Sequence, residues 1–362
     1  MRFFPSYKPS YINQFSIWIN IRHMNGAEIT DLRYTRRNKN KEGKRMPDKT
    51  FLEDGLMIIS QSKQNTSDIW EAHFGAAAIA SYFFVKENEL PVEVVSLIEA
   101  QTSQMINQHL RNECMDRSGV INSPSAEFLL LEALDQTIDE LHWVGHNVIY
   151  AALSLIAVKE NGGQVTNNTA EKIAELIHSF AKTIPGRSWI GYSASEVKRL
   201  QLDESDEITE INTPSQLSLF VLGELAQFDK IYRAESHHDL LGHMLTFSHA
   251  LNILYDLGHT EYFHRGLPAL LKLIKVLRIS RDLNDSSELK LISPVDRLPF
   301  IKAVRSDYLP VETEFWKRNF TASDWDFGHL FKFPFSFYNH LNRITCVSER
   351  ATENFRYILY SD

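Results

Sequence analysis

The chain has little cysteine and no long apolar run. Its 362 residues include two cysteines, Cys114 and Cys346, in no CxxC arrangement. This argues against a disulfide framework or a cysteine-based zinc site and favours a reducing compartment. The longest apolar runs, Phe74–Val85 and Val148–Val158, fall short of the roughly 18 residues that a membrane span needs. Residues 1–11 also lack the apolar region of a signal peptide. We therefore expect a cytoplasmic protein that does not contact a membrane.

Several familiar chemical motifs are also missing. The sequence contains no GxGxxG, Walker A, GxSxG or HExxH, and none of its 15 glycines are spaced GxG. A Rossmann nucleotide site, a P-loop and the standard α/β-hydrolase are therefore poorly supported. The net charge is −8, from 38 basic and 46 acidic residues. This balance argues against nucleic acid as a partner.

The N-terminal segment contains a hairpin signal. Asn25-Gly26 suits a type I′ turn, and pairing outward from it places four apolar residues on one face: Ile17, Ile19, Ile21 and Leu32. The segment from Arg33 to Arg45 carries seven basic residues and one acid. It fits either a solvated loop or an anion-binding loop. Residues 1–65 are accordingly predicted to form a β-hairpin and a basic loop packed on the body.

From Ser67 onward the pattern is helical, so residues 66–362 are predicted to form a helical domain. Helix starts are indicated by two capping boxes, one of Ser193 with Glu196 and one of Thr213-Pro214 with Gln216. Seven or more antiparallel helices with short connections predict a mainly α fold of α/α hairpins, which could curve into a toroid. One segment differs, because Phe331–Phe337 alternates phenylalanine with other residues. That period of two predicts an extended segment.

The first candidate site is a set of four polar residues before Ile149. Asp135, Asp139, His142 and His146 follow one another at i, i+4, i+7 and i+11. This spacing predicts one stripe on a helix. Two histidines four residues apart can bind one metal ion, and the carboxylates could ligate the metal or orient the rings. The alternative is an amphipathic helix with a polar face and a hydrogen-bonded core histidine.

The second candidate set lies about a hundred residues later. His238 and His249 are eleven residues apart and share a helix face, while Asp239 and His243 occupy a neighbouring face. Gly242 leaves room for something to approach this helix closely. The alternative is a solvent-exposed, histidine-rich helix end.

Two short stretches resemble known families. His238-Asp239 followed by Gly242-His243 resembles the HD phosphohydrolase motif, in which an adjacent His-Asp pair binds a divalent metal. An extra residue before the glycine departs from the commonest form. His73, His146 and His249, each followed by small and apolar residues, are similar to the helix starts of questin-oxidase-like proteins. The chain is assigned to neither family, and His73 also fits a hydrogen-bonded core residue.

These residues predict an enzyme with a site between two helices. Our leading hypothesis is a metal-dependent hydrolase that acts on a small-molecule ligand, with a divalent metal and His243 or His249 as acid or base. The expected metal ligands are Asp139, His142, His146, His238 and Asp239. A metal-dependent oxidoreductase is an alternative, because the same ligands suit iron. A non-catalytic helical binding or scaffold protein is another, with the histidines in capping and core hydrogen bonds.

Overall fold

The computed structural model describes residues 46–66, 69–111, 120–121, 123–163, 165–203, 206, 210–233, 237–283, 301–346 and 348–359. All of them belong to one compact unit, Asn38–Asp362. The predicted hairpin and the basic loop lie outside the described residues.

The described residues contain fourteen α-helices and one short antiparallel sheet, which confirms the mainly α class. The helices are α1 Thr50–Thr66, α2 Ala72–Glu87, α3 Val92–His109, α4 Ser123–Asp135, α5 His146–Glu160, α6 Asn167–Ser179, α7 Ala194–Arg199, α8 Pro214–Ala226, α9 His237–Asp256, α10 Thr260–Arg278, α11 Thr313–Trp316, α12 Asp324–Phe327, α13 His329–Asn342 and α14 Glu349–Ile358. The strands are β1 Val120–Ile121 and β2 Val165–Thr166.

Four helices form the centre of this unit. Helix α2 packs on α5, α5 on α9, α9 on α13, and α13 back on α2. The chain builds α2 and α5 from apolar residues on every face, and such helices belong in a core. Every residue from Ala72 to Val85 is buried. The other helices pack around the four, with α1 and α3 on α2, α4 and α6 on α5, and α8 and α10 on α9. The toroid-like hairpin assembly stays a prediction.

Helix starts follow local signals where the chain provides them. The predicted capping boxes at Ser193 and Thr213 are both present. Helix α1 begins at Thr50, inside the segment that the sequence pattern assigned to the hairpin and loop. Its glycine, Gly55, faces Gly75 of α2 so closely that a Cβ on either one would overlap the other's carbonyl oxygen. The two helices can cross at this distance because neither residue has a side chain there.

Two predicted elements are wrong. Asp135–His146 is not one helix, because α4 ends at Asp135 and α5 begins at His146. Between them Trp143–Gly145 has positive φ, which a right-handed helix cannot accommodate. Phe331–Phe337 is helical, not extended, and lies within α13. Its phenylalanines are all buried because neighbouring helices cover α13 on both sides, so their alternation did not indicate a strand.

Candidate metal centre

Four histidines meet where the central helices converge, one from each helix. His73 is the second residue of α2, His146 the first of α5 and His329 the first of α13, while His243 lies in the second turn of α9. Their exposed fractions are 0%, 2%, 4% and 2%, respectively. The cluster is therefore buried, and its members come from parts of the chain that are far apart in sequence.

Left-handed backbone positions two of these histidines. Gly145, with φ 95°, directly precedes His146, and Gly328, with φ 73°, directly precedes His329. Each glycine follows non-glycine residues that also have positive φ: Trp143 and Val144 in the first case, and Asp324–Phe327 in the second. Such a residue costs about 1–2 kcal/mol, and it persists only where surrounding structure compensates.

Hydrogen bonds supply that compensation at both turns. The backbone amides of Trp143 and Val144 donate to the carbonyl oxygens of residues 184 and 185, at 2.9 Å and 2.7 Å. In the second turn, the Trp325 indole donates to Gln101 Oε1 at 2.8 Å. His109 Nε2 lies 2.9 Å from Asp324 Oδ1 in the same turn. Both turns are therefore fixed in conformations that start a helix beside the cluster.

The ring nitrogens of the four histidines face one another. His146 Nε2 lies 2.8 Å from His73 Nε2 and 3.2 Å from His243 Nε2. One nitrogen from each of His73, His243 and His329 lies within 4.8 Å of the other two. Three buried histidines are thus close enough to hold one metal ion.

The Nδ1 atoms of His146 and His243 contact backbone carbonyl oxygens, which favour a proton on Nδ1. His146 Nδ1 contacts the Trp143 carbonyl oxygen, and His243 Nδ1 lies 2.8 Å from the Asp239 carbonyl oxygen. A carbonyl only accepts, so each Nδ1 carries the proton and each neutral ring keeps a lone pair on Nε2. Two such lone pairs face each other at 3.2 Å between His146 and His243. They repel unless a proton or a cation lies between them.

His73 can adopt the same tautomer. Its Nδ1 lies 2.7 Å from the Tyr150 hydroxyl, which also lies 3.2 Å from the Ile69 carbonyl oxygen. A hydroxyl that donates to that carbonyl accepts a hydrogen bond from His73 Nδ1. His73 Nε2 then has a lone pair directed at His146. Metal-ligating histidines are typically oriented through the nitrogen that does not bind the metal.

Two carboxylates lie beside His329. Its Nδ1 is 3.2 Å from Asp239 Oδ1 and 3.5 Å from Asp326 Oδ2. Asp239 Oδ1 also lies 3.4 Å from His243 Nδ1. Neither ring nitrogen of His329 makes a well-aligned hydrogen bond, nor does the buried Asp239 Oδ1. Buried polar atoms of this kind point to a partner such as a bound ion.

Burial controls the charges in the cluster. It lowers the pKa of His73 and of His146 well below the usual value, and that of His329 to about 4. Burial alone would raise the pKa of Asp239, but the neighbouring His243 and His329 rings outweigh it and lower that pKa. Neutral imidazoles and ionised carboxylates are the forms that bind metal ions.

A buried lysine, Lys332, acts electrostatically on His73, His146 and His329. It lies one turn after His329 on α13 and is 3% exposed. Burial lowers its pKa to about 7, against the opposing effect of Asp239 and Asp326. It can therefore lose its proton near neutral pH.

The structure brings together three of the seven predicted site residues: His146, Asp239 and His243. His238 is next to Asp239 in the chain and is partly exposed. Asp139 does not reach the cluster; its carboxylate forms an ion pair with Arg265, with 2.7 Å between Asp139 Oδ2 and Arg265 Nη2. The predicted stripe fails here because the helix ends before Asp139.

Two further predicted residues also lie elsewhere. His142 Nδ1 is 3.5 Å from the Thr183 hydroxyl. His249 Nδ1 is 3.0 Å from the Ser336 hydroxyl, and this group continues to His340 rather than to the four histidines. His243 lies among the clustered nitrogens, with its Nε2 atom 3.2 Å from His146 Nε2.

The sequence pattern did not indicate His329, and it favoured a core role for His73. One signal could have found His329: three of the four clustered histidines directly follow glycine, as Gly145-His146, Gly242-His243 and Gly328-His329. In two of these pairs the glycine is the left-handed residue before a helix start. The similarity to questin-oxidase-like helix starts did include His73 and His146.

Comparisons with protein-family models, with curated proteins and with solved structures found no match for this chain. Among the described residues, none of the helices has the length and apolar character needed to cross a membrane.

Proposed function

We propose that this protein is a metal-dependent enzyme whose divalent metal ion is held by the clustered histidines. The supporting observation is the convergence of Nε2 atoms from His73, His146 and His243, at 2.8 Å and 3.2 Å, on rings whose Nδ1 atoms are already engaged. Three histidines are a frequent ligand set for a catalytic metal that keeps one position open. Imidazole ligands suit zinc, iron, copper and nickel.

The reaction that we favour is hydrolysis. A divalent cation in the cluster would supply a Lewis acid that lowers the pKa of bound water. Asp239 and Asp326 lie beside the cluster with side chains that are 27% and 19% exposed, so their carboxylates can accept hydrogen bonds from water at the metal ion. Helices α2, α5 and α13 all begin at the cluster, and helix N-termini favour negative charge. This arrangement suits hydroxide or an anionic group of a substrate.

A partly exposed aromatic group lies over one side of the cluster, where a small-molecule substrate could enter. The Trp70 ring is 5.2 Å from His73, 5.5 Å from Trp143 and 5.8 Å from Phe327. Phe327 is 46% exposed. Aromatic surfaces beside a polar site are common in ligand pockets.

An oxidoreductase is the second candidate, because imidazole and carboxylate ligands together also suit iron. The identity of the metal separates the two. Iron in the purified protein, with dioxygen consumption in the presence of a reductant, would favour oxidation. Zinc or manganese, with turnover of esters or phosphate esters, would favour hydrolysis.

The first experiment is elemental analysis of the purified protein and of two variants, His146→Ala and His243→Ala. We expect at least one equivalent of a transition metal in the wild type and a loss of most of it in both variants. His249→Ala is the matched control, since His249 is equally buried at 2% but bonds to Ser336. It should keep the metal.

Activity is then measured on chromogenic carboxylic and phosphate esters, before and after chelation and metal return. Protein without metal under all loading conditions would refute the proposal. Retention of metal by both His146→Ala and His243→Ala would also refute it. In either case the non-catalytic scaffold would be the better interpretation.

A further inference from the structure

We infer that a second divalent cation binds beside the first, held by His329, Asp239 and Asp326. This inference deepens the proposed function and rests on it. It makes the cluster a two-cation centre, with one position formed by imidazoles and one mainly by carboxylates.

The spacing of the three side chains suits a cation. His329 Nδ1 lies 3.2 Å from Asp239 Oδ1 and 3.5 Å from Asp326 Oδ2. Ligands that are each about 2.1 Å from a metal ion are separated from one another by about 3.0–3.4 Å in octahedral or tetrahedral geometry. The observed separations fall close to this range.

These atoms also lack well-aligned hydrogen bonds. Both ring nitrogens of His329 and Asp239 Oδ1 are buried and make no well-aligned hydrogen bond. A cation would be coordinated by His329 and would neutralise both carboxylates.

One nitrogen of His329 also lies within 4.8 Å of nitrogens of His73 and His243, but the first position can form without it. His73, His146 and His243 supply three imidazoles through their Nε2 atoms, and three protein ligands complete many catalytic metal sites. His329 can then bind the second cation together with Asp239 and Asp326. Because the second position has two oxygen ligands, it should bind harder cations such as Mn²⁺ or Mg²⁺.

The backbone around Asp326 indicates that its position is built into the fold. Asp326 has φ 47° and lies in the left-handed turn Asp324–Phe327. The hydrogen bond from the Trp325 indole to Gln101 Oε1 and the contact between His109 and Asp324 hold this turn. The result is a carboxylate placed against His329, three residues later in the chain.

Calorimetric titration of metal-stripped protein with Mn²⁺ tests the inference. We expect two equivalents for the wild type. In Asp326→Asn the affinity of the second position for Mn²⁺ should fall by about tenfold or more. This variant should therefore bind one equivalent in the concentration range that gives two for the wild type. Asparagine tolerates left-handed backbone, so this variant should fold. Asp139→Asn is the control, because the Asp139 carboxylate pairs with Arg265 at the surface and does not reach the cluster, and it should bind two.

Electron paramagnetic resonance adds an independent signal. Two neighbouring Mn²⁺ ions couple magnetically, so the fully loaded wild type should lose the six-line spectrum of an isolated ion, and Asp326→Asn should retain it. His329→Gln serves as a second variant if Asp326→Asn does not fold, and it should also bind one equivalent.

The outcomes separate the two proposals. One equivalent in the wild type, with an isolated-ion spectrum, would overturn the second cation and leave the proposed function intact. Two equivalents in Asp326→Asn and in His329→Gln would overturn the assignment of these ligands. No Mn²⁺, Zn²⁺ or Fe²⁺ bound by the wild type would refute the proposed function itself.

Discussion

The Nε2 atoms of His73 and His146 lie 2.8 Å apart, although the residues are 73 positions apart in the chain. His73 lies in the first turn of α2 and His146 is the first residue of α5, so neither lies on a loop that could adjust to the other. Helices α2 and α5 pack against each other. The pair is therefore set by the packing of two rigid elements, which suits a site that must keep a fixed geometry.

His142→Ala should leave the metal content unchanged. His142 is four residues before His146, but the chain between them turns through left-handed backbone, and its ring lies at Thr183 instead. We expect full metal loading and a modest loss of stability. Elemental analysis checks this beside His146→Ala, which should lose the metal. Equal loss in the two variants would contradict the geometry of the cluster.

Asp139→Ala should also leave the metal in place. Its carboxylate pairs with Arg265 at the surface, with a side chain that is 62% exposed. Exposed ion pairs contribute about 0–1 kcal/mol, so the midpoint of chemical unfolding should shift little. Metal analysis and denaturant titration measure both quantities. A large loss of metal would mean that Asp139 acts in a way that this structure does not show.

The sequence could predict which residues share a helix, but not which helices converge. The mainly α class and the capping boxes at Ser193 and Thr213 depend on neighbours in the chain, and these predictions are confirmed. The cluster depends on contacts between α2, α5, α9 and α13, which no spacing within one helix reveals. His329 was missed for that reason.

The stripe from Asp135 to His146 failed for a local reason. Its residues had helical spacing, but α4 ends at Asp135, and Gly145 and the two residues before it adopt positive φ just before α5 begins. The spacing of apolar residues does not indicate that a helix is interrupted when the residues after the interruption still face the core. The opposite error occurred at Phe331–Phe337, where an extended segment was predicted and a helix was found. Aromatic residues on a helix that is covered on both sides can alternate with other residues without forming a strand.

Gly75→Ala should destabilise the protein by about 1–3 kcal/mol. A Cβ on Gly75 would overlap the Gly55 carbonyl oxygen and the backbone of Ile59, so α1 and α2 would have to separate. Gly223→Ala is the matched control, because Gly223 lies in helix α8 with nothing within 4 Å of its Cβ position. That change should be neutral or stabilising by up to about 1 kcal/mol. Denaturant unfolding of both variants gives the comparison.

His109→Ala should weaken metal binding without removing a ligand. The His109 ring lies between Glu71 and Asp324, at 3.2 Å and 2.9 Å, and stacks on Phe74 with 3.4 Å between ring centroids. Removing it frees the left-handed turn that precedes His329. We expect metal affinity to fall by about tenfold, with faster proteolytic cleavage near residue 324. Unchanged affinity would show that the turn holds its shape without His109.

Acid should destabilise the protein through its buried histidines, and His340 is the clearest case because it lies outside the metal cluster. Its Nδ1 is 2.9 Å from the Ser218 hydroxyl, and its Nε2 is 2.9 Å from the Ser248 hydroxyl and 3.0 Å from the Leu245 carbonyl oxygen. Burial lowers its pKa from 6.5 to about 4.

The unfolded chain therefore binds a proton at a higher pH than the folded one. The stability contributed by His340 is fully present above about pH 6.5 and is lost progressively as the pH falls to about 4. The loss is about 3 kcal/mol over that range, since one pKa unit corresponds to about 1.4 kcal/mol. Denaturant unfolding of metal-free protein between about pH 7 and 4.5 measures it. In His340→Gln the free energy of unfolding should depend less steeply on pH, because up to about one proton fewer is taken up on unfolding. An unchanged slope would mean that His340 does not carry this part of the acid sensitivity.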